Sequence, residues 1–553
     1  MPWSRTGDWV DGCATAFLTL VVVLAGRQLC LDEGAAGAML ASGALLLAIL
    51  WLRARRPAAG PVVLGLAVAF AAWSAGLIAT ASIRSVDGRQ YFCLFDDAFV
   101  SLRYAWNLAH GQGLVWNPGE RVEGFTNPLT TLLMALPSAL FDRPAAALAV
   151  QIFGVATVLA LALLSYRLAL RLGLQAPVLA CLVVLACYPL AYWSILGMET
   201  GLVALLLVAA TLLAAAEPGE ADWRLAVLLG LAVAARPDAM VPALTVLGWR
   251  AALRPRGGWR ASLAEVAAFG AFPLAILALR WLYYGQLVPN TYVLKVAGVP
   301  LSFRLRTGVG AALPYLGWLA PAIALAVVSA REGDRQRRLL LAVWGSSVVA
   351  TLFVGGDAWP RWRFLCPTLP PLLVLAADGA ACVAGRVKRP ALAWALAGLV
   401  VVAEDASFGR EVLLAREPFG VPEVQQQVEA AVRLTRLCTP AASVGVFHAG
   451  TVPYYTGLRA VDFLGKTDVQ VARRAPNLKG APGHNKTDLR YSIGERRPDY
   501  VEDFRWGPDE APSDDYQRVG FLWLRRNSPN IRWDLVRADQ AAAPPEQRAA
   551  TSR

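Results

Sequence analysis

Charge is scarce in this sequence. Of 553 residues only 17% are Asp, Glu, Lys or Arg, against about a quarter in a soluble domain, and mean hydropathy is +0.46. That composition reads as a polytopic membrane protein. Histidine is rarer still, with three residues, and the eight cysteines form no CxxC pair and no metal-ligand spacing. There is no GxxxxGK[ST], no GxGxxG after a strand, no HExxH and no GxSxG. ATP-driven transport, nucleotide-cofactor chemistry and zinc proteolysis therefore find no local support. No repeat of fixed period is present, whereas secondary transporters often carry one. The N-terminal MPWSRTGDWVDGC lacks a basic n-region and a small-residue cleavage site, so the first apolar run is expected to stay as a span.

What charge there is has an order. The net charge of +12 comes from short arginine clusters between apolar runs: Arg53, Arg55, Arg56; Arg250, Arg254, Arg256, Arg260; Arg331, Arg335, Arg337, Arg338; and Arg386, Lys388, Arg389. This is the positive-inside pattern, and it needs no nucleic-acid partner. At ~20 apolar residues per crossing, spans are expected at 13–31, 35–52, 61–82, 144–166, 176–195, 201–216, 261–284, 310–330, 339–354, 364–384 and 391–404. Residues 224–249 read as a short hairpin turning at ARPDA, and 128–141 as a re-entrant or interfacial segment. The fold expected is a polytopic α-helical membrane protein of about 11–13 spans, with a small C-terminal α/β domain. The boundaries expected are 1–404 for the membrane part, whose outer loop is 83–127, then 405–540 for the α/β domain and 541–553 for a disordered tail. ASVGVFH (442–448), YVEDF (500–504) and GFLWLRR (520–526) are the expected strands.

With the arginine clusters inside, the polar signals gather outside. The stretch CLFDDAFVSLRYAWNLAHGQGLVWNPGERVEGFTNP sets Asp96 and Asp97 at the start of a helix whose Phe99, Leu102, Trp106 and Ala109 recur at helical spacing, as in an interfacial helix. Ionised side chains near a bilayer are costly and tend to be functional. One of the two is explained by an N-cap; the second is not. Glu199 in LGMETG, Arg236 and Asp238 in ARPDA, Lys295 after PNTYV, and Asp357, Arg361 and Arg363 in GGDAWPRWR lie on the same side, as do His110, His448 and His484. Each has a structural reading too, above all an Arg–carboxylate pair bracing the hairpin. Together they suggest a polar cavity whose cations suit a phosphate. Cys93 and Cys438 share this side, and a disulfide between them stays open.

These stretches, in order, resemble the GT-C class of polytopic glycosyltransferases, and more narrowly the mycobacterial terminal β-(1→2)-arabinofuranosyltransferase family. The motifs are DDAFVSLRYAWNLAHGQGLVWNPGERVEGFTNP, SILGMETGL, ARPDA, YYGQLVPNTYVLK, GGDAWPRWRFLCPTLP, HAGTVPYYTGLRAVDFLGKTD and PGHNKTD. The resemblance covers about residues 90 to 500. It implies transfer of a sugar, with arabinofuranose not secured, from a polyprenyl-phosphate donor to a cell-envelope glycan or glycolipid at the outer face of a bacterial cytoplasmic membrane, with inversion. Its catalytic acid position falls on Asp96 and its second acidic position on Asp97; the competing assignment makes Asp97 the base and Asp96 the cap. Arg103, Glu199, Arg236, Asp238, Lys295, Asp357, Arg361 and Arg363 become candidates for donor phosphate or substrate. His448, Tyr454, Tyr455, Asp462, Asp468 and His484 become candidates for the acceptor, the tyrosines either stacking on sugar or packing the core. Some members use a divalent cation, Mg or Mn, which would fall to Asp96 and Asp97; others use none. A lipid or glycan transporter is the alternative.

Overall fold

The structure is a computed structural model describing residues 59–542 except 217–218, 256, 334, 482 and 504–511. The spans expected at 13–31 and 35–52, and the tail beyond 542, lie outside the described residues. Six helices are long and apolar enough to cross a bilayer: Ala59–Thr80, Arg143–Arg171, Trp259–Tyr284, Arg335–Val354, Cys366–Arg386 and Ala391–Val412. Two more candidates are broken. Pro177–Ala186 meets Tyr188–Ile195 at 57°, and Leu301–Trp318 meets Ala320–Glu332 at 74°. Each second half carries a proline in its first turn, Pro189 and Pro321, where the missing N–H cannot continue the preceding helix.

The chain is a multi-pass membrane protein with six to eight such spans among the described residues. The number expected from apolar runs also takes in the two runs outside the described residues and, at 201–216 and 224–249, helices short for a crossing; 128–141, read as re-entrant or interfacial, is likewise short. Pro128–Leu140, Thr200–Ala214 and Trp223–Ala235 have 13, 15 and 13 residues. At 1.5 Å per residue they reach only about 20 Å, against ~30 Å of hydrocarbon. The hairpin expected at 224–249 is present as Trp223–Ala235 and Met240–Leu253 around a 3₁₀ turn at Pro237–Ala239.

Two compact units make up the fold. The first comprises Met1–Ala81, Gln151–Ile276 and Leu301–Pro418; the second comprises Ser82–Val150, Leu277–Pro300 and Phe419–Arg553. In the first, Arg250 and Arg254 both donate to the buried Glu265 (3.0 and 2.7 Å), and Arg337 to Asp378 (2.8 Å). A carboxylate out of water needs such partners, so part of the basic clustering serves packing.

In the second unit a hairpin of β1 (Ser82–Arg84) and β2 (Gln90–Phe92) leads into helices α1 (Asp96–Ala109) and α2 (Pro128–Leu140). After residue 419 follow α3 (Val421–Leu437), β3 (Ser443–Val446), α4 (Thr451–Thr456), β4 (Arg459–Asp462), β5 (Tyr500–Val501), β6 (Tyr516–Val519) and β7 (Leu522–Arg525). The sheet runs β4-β3-β5-β7-β6, with β4, β3 and β5 parallel and β7 antiparallel to both β5 and β6. The expected strands are β3, β5 and β7; β4 (RAVD) and β6 (YQRV) are too polar in sequence to have stood out.

The boundary expected at 404/405 is therefore not where the structure divides. Val100, Tyr104, Trp116 and Phe125 share one core with Leu434, Val444, Val446 and Leu524, so the 83–127 stretch and the C-terminal sheet are one hydrophobic body. For the same reason α1 is not the interfacial helix its spacing suggested. Phe99 and Leu102 are buried, but so are Val100, Ser101, Arg103, Tyr104, Ala105 and Asn107 on its other faces. Cys93 and Cys438 are both buried, and no disulfide joins them.

Candidate active site

Three parallel strands of the second unit end at one edge of the sheet, where ligands usually bind in α/β folds. Val446 of β3 is followed by Phe447-His448-Ala449-Gly450-Thr451, Asp462 of β4 by Phe463-Leu464-Gly465-Lys466-Thr467, and Val501 of β5 by Glu502. Into this edge comes the N-terminus of α1. The Asp96 carboxylate accepts the Gly450 N–H (3.2 Å), the Thr451 N–H (2.8 Å) and the Thr451 hydroxyl (2.9 Å). Only glycine fits at 450: a Cβ there would stand 2.0 Å from the Asp96 carbonyl oxygen. Asp97, less buried than Asp96, forms an ion pair with the Lys466 ammonium. Glu502 accepts the N–H groups of Phe447 (2.6 Å) and His448 (2.9 Å) and is bonded to His448 Nδ1 (2.6 Å).

The charges hold one another. Burial raises the Asp96 carboxyl above the usual range, with His448, Lys466 and the Thr451 N–H opposing. Burial works against the Lys466 ammonium, but Asp97 and then Asp96 outweigh it and its pKa is raised. Burial likewise disfavours a charged His448, yet Glu502 and Asp96 push its pKa up to about 9. Both cations are thus protonated at neutral pH, next to a buried carboxylate with a raised proton affinity. An ionised carboxylate offers about four lone-pair sites, and Asp96 uses three on the 450–451 turn.

His448 yields a test. A folded-state pKa above the unfolded value of about 6.5 contributes stability that is complete below about that pH and lost as pH rises through about 9. The melting temperature is expected to fall across that interval, and Glu502→Gln to reduce the fall. A wild-type melting temperature that stays level across that interval would remove the link.

Other second-unit residues hold the edge in place. Asp462 accepts the N–H groups of Leu464 (2.9 Å), Gly465 (3.1 Å) and Thr467 (2.7 Å), which makes it the bracket of the Lys466 loop and not an acceptor ligand. From the other side, Asn290 of PNTYV donates to the carbonyls of Gly465 (2.9 Å), Lys466 (3.1 Å) and Asp468 (3.2 Å). Arg103, expected at the donor phosphate, is buried and gives its donors to carbonyls: Trp116 O (2.6 Å), Leu458 O (2.8 Å) and Pro453 O. It is a clamp between α1 and the sheet. Lys295 is half-buried on the short helix Asn290–Val296, its stem against Gly483. The His484 N–H donates to the Ala481 carbonyl (3.0 Å). Asp468 caps residues 469–472 through Gln470 N–H (2.9 Å) and Val471 N–H (3.1 Å).

The tyrosines pack the core. Tyr454 donates to Arg143 O and Tyr455 to Phe92 O, both at 3.0 Å, and their rings lie 5.3 Å from that of Phe99. Both are buried, so a sugar-stacking role is set aside. Tyr454→Ala is expected to cost about 3–5 kcal/mol, as large aromatic truncations do, and Tyr454→Phe about 1 kcal/mol for one hydrogen bond. Thermal unfolding checks both; a Tyr454→Ala protein as stable as wild type would return the ring to the binding candidates.

The first unit holds the other candidates, each cation with a carboxylate. Arg236 binds Glu199 (2.5 Å) and Asp238 (2.7 Å) and lies over the Phe364 ring at 4.4 Å. Arg363 grips Asp357 through two bonds (2.8 and 3.0 Å). Arg361 binds Glu411 (2.5 and 2.7 Å), which also accepts the Tyr188 hydroxyl (2.6 Å). Arg361 and Trp362 have φ of 68° and 52°, a left-handed pair costing roughly 1–2 kcal/mol each, and these anchors hold it. Arg236 and Asp238 also line a narrow apolar groove with Val203, Leu207, Val354 and Phe364.

Sequence reading missed Lys466, Glu502, Thr451 and Asn290, although all four stand in quoted stretches. It also missed Lys486, buried with its ammonium on the carbonyls of Val293 (3.0 Å), Ala297 (2.9 Å) and Ala472 (2.8 Å). Among the described residues no three His, Cys, Asp or Glu side chains converge as a metal site. At the acidic pair Asp96 faces N–H donors and Asp97 an ammonium, an arrangement that does not fit a divalent ion.

Comparison with known proteins agrees with this architecture. Residues 421–542 match a family described as a domain of unknown function, DUF8728. Over 221 residues the chain is 31% identical to the terminal β-(1→2)-arabinofuranosyltransferase of Mycobacterium tuberculosis (strain ATCC 25618 / H37Rv). That match takes in 36% of this chain and 35% of the relative, so it spans about a third of the curated relative's length. ArnT from Cupriavidus metallidurans in the apo state superposes with a TM-score of 0.50 at 15% identity, over 74% of this chain and 89% of that one. The same protein bound to undecaprenyl phosphate gives 0.50 at 14%, over 71% and 85%. The chain thus has the GT-C-like fold that its motifs implied.

Proposed function

We propose that this chain is a membrane glycosyltransferase of GT-C type, transferring a sugar from a polyprenyl-phosphate donor to a cell-envelope glycan or glycolipid at the extracytoplasmic face of a bacterial cytoplasmic membrane. The observation that carries the reading is the strand edge of the second unit: a buried carboxylate, Asp96, beside two protonated cations, Lys466 and His448. Asp96 takes the proton of an acceptor hydroxyl. The freed oxygen attacks the anomeric carbon opposite the phosphate, the carbon–oxygen bond to phosphate breaks, and polyprenyl phosphate departs with the configuration inverted. Lys466 and His448 stabilise the charge that develops on the leaving group. Asp97 orients the Lys466 ammonium.

The partial likeness to an arabinofuranosyltransferase favours arabinofuranose as the sugar. The solved ArnT structure carrying undecaprenyl phosphate favours a polyprenyl lipid. Lys295, in the same unit as Lys466, stays a candidate for the donor phosphate, while Arg236, Arg361 and Arg363 of the first unit are candidates only in competition with their own carboxylates. No divalent cation is assigned a role.

Purified full-length protein given polyprenyl-phosphate arabinofuranose and a glycan acceptor tests the reading. Release of polyprenyl phosphate together with an extended acceptor is the expected outcome, and magnetic resonance of the new linkage reads inversion. Movement of labelled lipid across a vesicle without chemistry would establish a transporter instead.

A further inference from the structure

An open cleft in the second unit adjoins the acidic edge without belonging to it. Glu120, Thr467, Asp468, Arg473, Tyr491 and Arg496 are among the residues that line it. Thr467 ties the two together: it follows Lys466, the partner of Asp97, and its N–H (2.7 Å) and hydroxyl (3.1 Å) are fixed on Asp462. A ligand seated in the cleft would therefore abut the loop that carries the Lys466 ammonium.

We infer that this cleft is the acceptor subsite and that its occupant is a neutral oligosaccharide; the inference rests on the transferase reading above. Its walls carry both charges close together. Arg496 lies 3.8 Å from Glu120, and Tyr491 donates to Asp468 at 3.3 Å. Arg474, also in the lining, pairs with Asp488. An anion entering would meet carboxylates, and a cation would meet guanidiniums. A polyol meets acceptors and forked donors side by side, the arrangement that neighbouring hydroxyls need, with one half-buried tyrosine as an amphipathic contact. The aromatic sugar contact first sought at Tyr454 and Tyr455 thus falls to Tyr491, because the former pair is spent in the core.

The test measures binding in the absence of donor. Full-length protein in lipid nanodiscs is titrated calorimetrically with a neutral arabino-oligosaccharide and with one bearing carboxylates. Binding of the neutral sugar is expected, weakened at least tenfold by Arg473→Ala and by Tyr491→Ala, and the acceptor KM in the transfer assay is expected to rise in parallel. Arg473 is exposed, so its variant keeps the fold even if Tyr491→Ala does not. Unchanged affinity in the Arg473→Ala protein, or tighter binding of the anionic sugar, overturns the inference. A chain that transfers sugar with unaltered acceptor KM in both variants loses the cleft assignment alone. A chain that binds the neutral sugar in the cleft but never transfers loses the transferase reading alone.

Discussion

Asp96→Asn is expected to lower sugar transfer at least about 100-fold, the smaller end of what a positioned general base contributes. Asparagine keeps the size and one carbonyl oxygen. That oxygen can still accept from the Thr451 N–H and hydroxyl, now at 2.8 and 2.9 Å, so expression and melting temperature should change little. The proton-accepting power is lost, together with the long bond from the Gly450 N–H (3.2 Å), which an amide NH2 cannot accept. Asp97→Asn is expected to be milder, since it weakens the hold on Lys466 without touching the base. Chelation of divalent cations should leave the rate unchanged, because the donors facing the pair are N–H groups and an ammonium. Near-normal turnover of Asp96→Asn with an inactive Asp97→Asn would exchange the two roles and leave Asp96 as the fastening of the Gly450–Thr451 turn. Full activity in both would move the catalytic centre elsewhere.

Lys466→Met should come next in severity. Loss of a preorganised group that meets developing charge costs about 2–4 kcal/mol of transition-state stabilisation, or roughly 30- to 1000-fold in rate. Methionine preserves the unbranched stem and much of the packing while removing the charge. Lys466→Arg should recover part of the rate, because a cation is restored, and Lys466→Met should not be rescued by raising acceptor concentration. A merely structural lysine would show the opposite pattern: a lowered melting temperature with turnover per folded molecule intact.

Much of the membrane part was legible in the amino-acid order. Length and hydropathy alone mark Ala59–Thr80, Arg143–Arg171 and Trp259–Tyr284, because a bilayer selects for little else than an apolar run of sufficient length. The strands β3, β5 and β7 were readable for a similar reason: Val444, Val501 and Leu522 face a core and their segments are bounded by turn residues. Asp96 and Asp97 stood out because two adjacent carboxylates in such a chain have no cheap structural explanation.

What the order of residues determined is therefore the kind of molecule and the edges of its apolar helices, and it singled out the acidic pair on which the proposed chemistry centres. The use made of each remaining polar residue was decided only by tertiary structure. Arg103 and Tyr454 look like ligands in sequence and prove to be fastenings, since their donors end on Trp116, Leu458 and Arg143 carbonyls. Lys466 and Glu502 look ordinary and prove to be the partners of Asp97 and His448, across separations of 369 and 54 residues. A buried polar group must find a partner wherever the chain brings one. Periodicity and composition are local properties and report local structure, whereas the partner of a buried charge is set by which distant strand ends meet at one edge of a sheet.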